Sequence, residues 1–130
     1  MQASGVSVGD RFVHSLLAKD WTGVETVIDP VVDFRGLTPG SAWQATSAKS
    51  LIESVFQVWF EPNDDIYEIV AISEVAITTR SRIVYRFRLR NEGGDFICEQ
   101  TAYYDEVEGK IAKLRILCSG FLESAAHDNR

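Results

Sequence analysis

The sequence predicts an α+β domain: an antiparallel sheet of four long strands plus a short N-terminal strand, covered by three helices. Two observations carry this. In the first half, to about Trp59, apolar residues recur at helical spacing, and in the second half they alternate at the period of strands. The strand-like segments are joined by turns too short for anything but hairpins.

Each element has its own local signals. Ser7 and Asp10 are suited to start a helix whose stripe is Phe12, Val13, Leu16 and Leu17. Asp20 caps a second short helix with Trp21, Val24, Val27 and Ile28 inside, and Pro30 marks its end. "VVDFRGLTPG" reads as a short strand over Val31 to Arg35 and a loop punctuated by Pro39 and Gly40. Ser47 caps a third helix whose apolar face is Leu51, Ile52, Val55, Phe56 and Trp59, stopped by "EPNDD". Long strands are expected over Ile66–Ile77, Ile83–Asn91, Asp95–Glu106 and Ile111–Gly120.

Register is set by parity. In the second long strand Ile83, Tyr85, Phe87 and Leu89 share a face, and in the third Phe96, Cys98, Gln100, Ala102 and Tyr104 do. Matching those faces requires an even loop, because a slip of one residue turns a strand over. Pairing Asn91 with Gly94 satisfies this. It sets Arg90, Arg86 and Arg80 opposite Asp95, Glu99 and Asp105, which are favourable cross-strand pairs. It also sets Tyr85 opposite Gln100 and Phe87 opposite Cys98. In the last hairpin a three-residue loop, Val107-Glu108-Gly109, keeps Leu114, Ile116 and Cys118 on that face. Cys98 is then opposite Cys118, and Gln100 opposite Ile116.

Bulk properties narrow the function. A length of 130 residues fits one domain, 1–130, with 1–8 and 122–130 as flexible tails. A net charge of −6 argues against nucleic-acid or anionic-membrane partners. No apolar run approaches the ~20 residues of a spanning helix, and no signal peptide is evident. The two cysteines form no CxxC or Cys/His cluster, so no metal or other cofactor is expected, and a cytoplasmic setting is.

The element order, with "FVHSLLAKDWTGVETVIDPVVDFRG" at one end and "GKIAKLRILCSGF" at the other, resembles the nuclear transport factor 2-like (SnoaL-like) cone fold over about Gly9 to Phe121. The resemblance implies a cone-shaped domain with helices on the concave face and an internal apolar pocket, often in a dimer packed through the outer sheet face. It also implies a choice of activities: isomerase, cyclase, dehydratase, epoxide hydrolase or non-catalytic binding module. The ketosteroid-isomerase-like toolkit has a Tyr on the first helix and an Asp base on the first strand; here those positions are Phe12 and Phe34. The epoxide-hydrolase-like set needs inward Arg and Asp, whereas the arginines of "RFRLR" fall outward. The dehydratase-like set needs two pocket histidines, and the chain has only His14 and His127.

The candidate site is built on Gln100. An amide on an apolar face must find partners or cost about 1–3 kcal/mol. Tyr85 opposite can supply one, either as a structural pair or as a pair that orients a ligand's carbonyl or hydroxyl. Phe87, Cys98, Tyr104, Leu114, Ile116 and Cys118 complete the expected wall. Trp43 either lids the pocket or packs in the core. Asp33, if inward and desolvated, is a general base; otherwise it sits in a solvated ion pair. Trp21 and Trp59 are read as core, His14 as a solvated flank, and the two cysteines as reduced, buried wall residues. Ile66, Val70, Ile72 and Ala76, if outward, add an apolar patch to a self-complementary dimer face. These residues point to a homodimeric protein that handles a small apolar ligand, either by acid–base chemistry or by binding alone.

Overall fold

The computed structural model describes residues 6–124. Each helix starts where a short polar side chain satisfies a free backbone N–H. Ser7 accepts from Asp10 N at 2.9 Å to open α1 (Val8–Leu17). Asp20 accepts from Gly23 N at 3.0 Å to open α2 (Trp21–Val27). Ser47 accepts from Ser50 N at 3.0 Å to open α3, residues 48–59. The middle of α3, Ile52–Phe56, is a π-turn. A π-turn winds one extra residue into the helix and so rotates the turn after it, which here carries Trp59.

Among the described residues seven strands form one sheet: β1 (Ile28–Thr38), β2 (Ser41–Ala45), β3 (Asp65–Ile77), β4 (Arg80–Asn91), β5 (Gly94–Val107), β6 (Lys110–Cys118) and β7 (Leu122–Glu123). Their order is β2-β1-β6-β5-β4-β3, with β7 beside β5 beyond the end of β6. The α+β architecture and the antiparallel meander β3–β6 are as expected. The sheet as a whole is mixed, because β1 runs parallel to β6, with Phe34 beside Leu114 and Gly36 beside Ile116. All of α3 and four strands lie between them, ample chain for the long crossover a parallel pair needs. The N-terminal strand is also longer than expected. Pro30, which lacks an N–H, falls where the β1–β6 register breaks between Ile28 and Asp33. Pro39 and Gly40, read as loop, make the β1–β2 turn, with Gly40 at φ +81°. Of the expected tails, 1–5 and 125–130 lie outside the described residues, as does His127; Val8 opens α1, and Leu122 and Glu123 pair with β5.

The β4–β5 register is the expected one throughout, from Asn91 beside Gly94 to Arg80 beside Asp105. The β5–β6 register is corrected by two residues. Glu108 and Gly109, at φ +52° and +81°, form a two-residue turn, and Ala112 is then an extra residue between Glu106–Ile111 and Asp105–Lys113. The bulge restores the parity that the even turn removed, so the facing is right. The partners shift: Gln100 lies beside Cys118 and Ala102 beside Ile116. Cys98 and Cys118 are diagonal neighbours, not opposed.

In β3, register shifts at Tyr67 and Val70 turn a period of two into three. Ile66, Ile69 and Ile72 therefore all pack inward against the core, which corrects the outward placement of Ile66 and Ile72. Val70 remains outward and exposed. The core lies between the helices and the sheet's inner face, with Phe12, Phe34, Phe56, Tyr85, Phe87 and Leu114 fully buried. The outer face carries ion pairs: Arg80–Asp105 at 2.8 Å, Arg86–Glu99 at 2.7 Å and Arg115–Asp33 at 3.3 Å. Arg90 faces Asp95 in the backbone register, but its guanidinium lies 3.8 Å from Asp65 and over the Tyr67 ring.

Candidate functional site

Where α3 and β6 finish, beside Gln100 of β5, the packing opens into a cavity of about 220 Å³ lined by Thr38, Trp59, Phe60, Gln100, Cys118, Gly120 and Phe121. Its walls are held by an aromatic lattice. Trp59 lies edge-on to Trp43 at 6.0 Å and to Phe34 at 6.1 Å. Phe60 stacks on Phe121 at 6.5 Å and meets Phe87 at 5.8 Å. Trp59 crosses β1 over Gly36, where a Cβ would come within 2.8 Å of Phe34 Cζ and 3.3 Å of Trp59 Cη2. Trp43 is fixed by donating its Nε1–H to Thr38 Oγ1 at 2.8 Å.

The polar groups of this end are few and specific. The Tyr85 hydroxyl donates to Gln100 Oε1 at 2.7 Å, as the register predicted. Tyr85 is fully enclosed, and burial pushes its phenol well above its ordinary pKa. That leaves the other end of the amide. Among the described residues, three buried side-chain nitrogens have no hydrogen-bond partner: Gln100 Nε2, Trp59 Nε1 and Arg82 Nε. Two of the three belong to residues in the wall of this one cavity. An unsatisfied buried donor costs about 1–3 kcal/mol, so two in one apolar space mark a place for an acceptor.

The sulfurs complete the wall. Cys98 Sγ and Cys118 Sγ are 3.6 Å apart, both unbridged. Gly120 donates its backbone N–H to Cys118 Sγ at 3.4 Å. Ser119 Oγ donates to Gly120 O at 2.8 Å, and its 3.9 Å separation from Cys98 Sγ is too long to compete. Either thiol can donate to the other, and Cys118 accepts from Gly120 N–H as well. The Cys98 S–H holds the Cys118 thiol below the ordinary value, with help from Gly120, while that same hydrogen bond and burial push Cys98 up. The Gln100 amide lies close enough to the Cys118 sulfur to help hold that thiol low, yet Nε2 makes no hydrogen bond of good geometry.

The other expected wall residues fall elsewhere. Tyr85, Phe87, Cys98, Tyr104 and Leu114 are core, sealed behind the cavity. Ile116 and Trp43 instead border a larger groove of about 480 Å³, which lies on the outer side of β1, β2, β5 and β6 with Arg35, Leu37, Thr101, Tyr103, Arg115 and Leu117. Tyr104, at the far end of its face, donates to Glu74 and accepts from Gly9 N at 3.2 Å. Asp33 lies on the outer face of β1 in its ion pair with Arg115, opposite in direction to buried Phe34. His14 is exposed on α1, with Nδ1 2.9 Å from Asp10 O. Sequence reasoning missed Trp59, Phe60 and Phe121. The i, i+3 spacing of Phe56 and Trp59 gave no sign of the π-turn that swings Trp59 to the cavity. No cluster of His, Cys, Asp or Glu among the described residues is arranged to hold a metal ion. No helix among them is long and apolar enough to cross a membrane.

No family model and no curated protein matches the sequence. Solved structures do match. An NTF2-like protein from Burkholderia thailandensis E264 superimposes at a TM-score of 0.67 with 15% identity, covering 86% of this chain and 88% of that one. The chain has the NTF2-like fold. A candidate isomerase from Bacillus subtilis shares this NTF2-like architecture at a TM-score of 0.73 and 11% identity, with 86% of this chain and 84% of that one covered. A protein of ketosteroid isomerase-like fold from Catenulispora acidiphila DSM 44928, in complex with trimethylamine, matches at 0.63 and 10% identity, covering 86% and 85%. Phe12 and Phe34, which the sequence resemblance set at the ketosteroid-isomerase-like Tyr and Asp positions, are both fully buried.

Proposed function

We propose that this protein binds a small, largely apolar molecule whose carbonyl or other acceptor oxygen is received by Gln100 Nε2–H and Trp59 Nε1–H. The observation that carries the reading is that two residues lining one aromatic-walled cavity, Gln100 and Trp59, each carry a buried donor without a partner. At about 220 Å³ the cavity is below the ~300–1,000 Å³ of drug-sized sites, so the ligand is small. Tyr85 holds the amide so that its N–H end, and not its oxygen, is presented. The acid–base activities implied by the fold need a proton-moving group at the ligand. The ionisable side chain in this wall is Cys118, and Asp33 lies across the sheet from it. Binding is therefore the function assigned first.

The test compares cyclohexanone with methylcyclohexane, two probes of similar size of which only the first carries an acceptor. Binding is read from the fluorescence of Trp43 and Trp59. The ketone should bind more tightly, and Gln100→Leu should remove a factor of about 2–10 of that preference. Equal binding of the two probes, or a preference untouched by Gln100→Leu, refutes the reading.

The outer groove supports a homodimer through the sheet. Leu37 and Leu117 are 53% and 60% exposed and lie side by side, with Arg35 and Arg115 beside them. An apolar centre with a charged rim suits a second copy of the same face. A single monomeric species in sedimentation at micromolar concentration would count against it. The unbridged thiols in contact suit a reducing compartment, the cytoplasm.

A further inference from the structure

We infer that Cys118 is a nucleophile that captures conjugated carbonyl ligands, α,β-unsaturated ketones or aldehydes, as covalent thioether adducts within the cavity. The inference rests on the binding reading above and adds chemistry to it. Three features on one wall carry it. Cys118 is half-buried in the wall of an apolar cavity, accepts a hydrogen bond from Gly120 N–H and lies 3.6 Å from the Cys98 thiol, which can donate to it, an arrangement that favours sulfur as an anion. Gln100 is 1% exposed, sits directly across the β5–β6 pair from Cys118, and carries an unpartnered N–H. Trp59 supplies the second unpartnered N–H in the same wall. A thiolate and two acceptor-seeking donors are the two halves needed for conjugate addition: a soft nucleophile for the β-carbon and a hole for the oxygen that becomes negative.

The step balances without an oxidant or a leaving group. The sulfur lone pair forms the bond to the β-carbon. The alkene π pair moves to form the enolate, whose oxygen rests on Gln100 Nε2–H and Trp59 Nε1–H. The proton the Cys118 thiol gave to solvent is returned from solvent to the α-carbon. Cys98 stays a thiol throughout. Its place is behind Cys118, with its side chain buried and its S–H able to donate to the reacting sulfur.

The experiment treats the full chain with conjugated cyclohexenone and, separately, with methyl methanethiosulfonate, a thiol reagent with no carbonyl to seat. Intact mass and peptide mapping give the site and rate. The expected result is one enone adduct, on Cys118, abolished in Cys118→Ser. Gln100→Leu should slow enone addition roughly 10-fold or more relative to the thiosulfonate reaction. The inference is overturned if the enone labels nothing, labels Cys98, or is slowed by Gln100→Leu no more than the thiosulfonate. Saturated cyclohexanone separates the two levels. If it binds with Gln100 dependence while the enone fails to add, the binding function stands and the nucleophile falls; if it does not bind, both fall.

Discussion

The Tyr85–Gln100 pair makes a quantitative prediction about why a buried amide is kept. Both residues are enclosed, and one hydrogen bond of 2.7 Å joins them, yet the amide's Nε2 has no partner. Tyr85→Phe removes the only partner of Oε1 and leaves the whole amide unsatisfied, a cost of about 1–3 kcal/mol. Gln100→Leu orphans the Tyr85 hydroxyl, at a similar cost, but also removes the orphaned N–H, so its net effect should be within about 1 kcal/mol of zero. The double variant leaves no unsatisfied group within the pair and should match or exceed the parent. The cycle is therefore non-additive by roughly 1–3 kcal/mol. Urea unfolding monitored by tryptophan fluorescence measures all four corners. In thermal melts each kcal/mol corresponds to roughly 3–6 °C for a domain of this size. A double variant as stable as the parent that no longer distinguishes ketone from hydrocarbon would show that Gln100 serves the ligand and not the fold. The reasoning is refuted if Tyr85→Phe is neutral while Gln100→Leu costs more than about 2 kcal/mol, because the amide would then be a satisfied structural group.

Gly36→Ala would drive a Cβ into Phe34 and Trp59, so we expect a loss of about 1–3 kcal/mol and a shifted tryptophan emission as the cavity rim moves. Asp33→Asn should cost at most ~1 kcal/mol and leave ketone binding intact, since the Asp33 side chain is 55% exposed in its ion pair; a loss of binding would restore it to the site. Burial, and then the Glu74 carboxylate it donates to, push the Tyr104 phenol from 10.0 to about 12. Between those values the folded state keeps a proton that the unfolded chain has lost, so stability is complete below pH 10 and falls as pH rises toward 12. Tyr104→Phe should flatten part of that decline in denaturation curves taken across the window, and an unchanged slope would contradict it.

The features legible in the sequence were those that parity and capping dictate. Ser7, Asp20 and Ser47 announced three helix starts because a side-chain oxygen at the right offset is a local property. The β4–β5 register was legible because matching the two apolar faces requires an even turn, and the opposition of Arg80, Arg86 and Arg90 to Asp105, Glu99 and Asp95 agreed with it. The β5–β6 pairing escaped because parity constrains register only in steps of two. Glu108 adopts a positive φ that nothing local demands, and the bulge at Ala112 hides the shortened turn. The parallel placement of β1 was equally invisible, since its partner is remote in sequence. For the site, Gln100, Tyr85 and Cys118 were legible as an inward polar set on an apolar face. Trp59, Phe60 and Phe121 were not, because their meeting depends on a π-turn and on the course of the chain after Cys118.

The pairing of β1 with β6 also bears on how the protein is made. Asp33 and Arg115, which meet across that pair, are 82 residues apart in sequence. When β5 has been synthesised, the β1–β2 hairpin and all three helices have already been made, yet the hairpin has no strand to join. Phe34 and the tryptophan edge it supports must wait, solvent-facing, until β6 emerges and slides in between β1 and β5. Contacts this distant are slow to form and leave apolar strand edges open meanwhile. The cavity wall is thus among the last parts of the nascent chain to close, and a product stalled before β6 would be a substrate for chaperones rather than a partial binder.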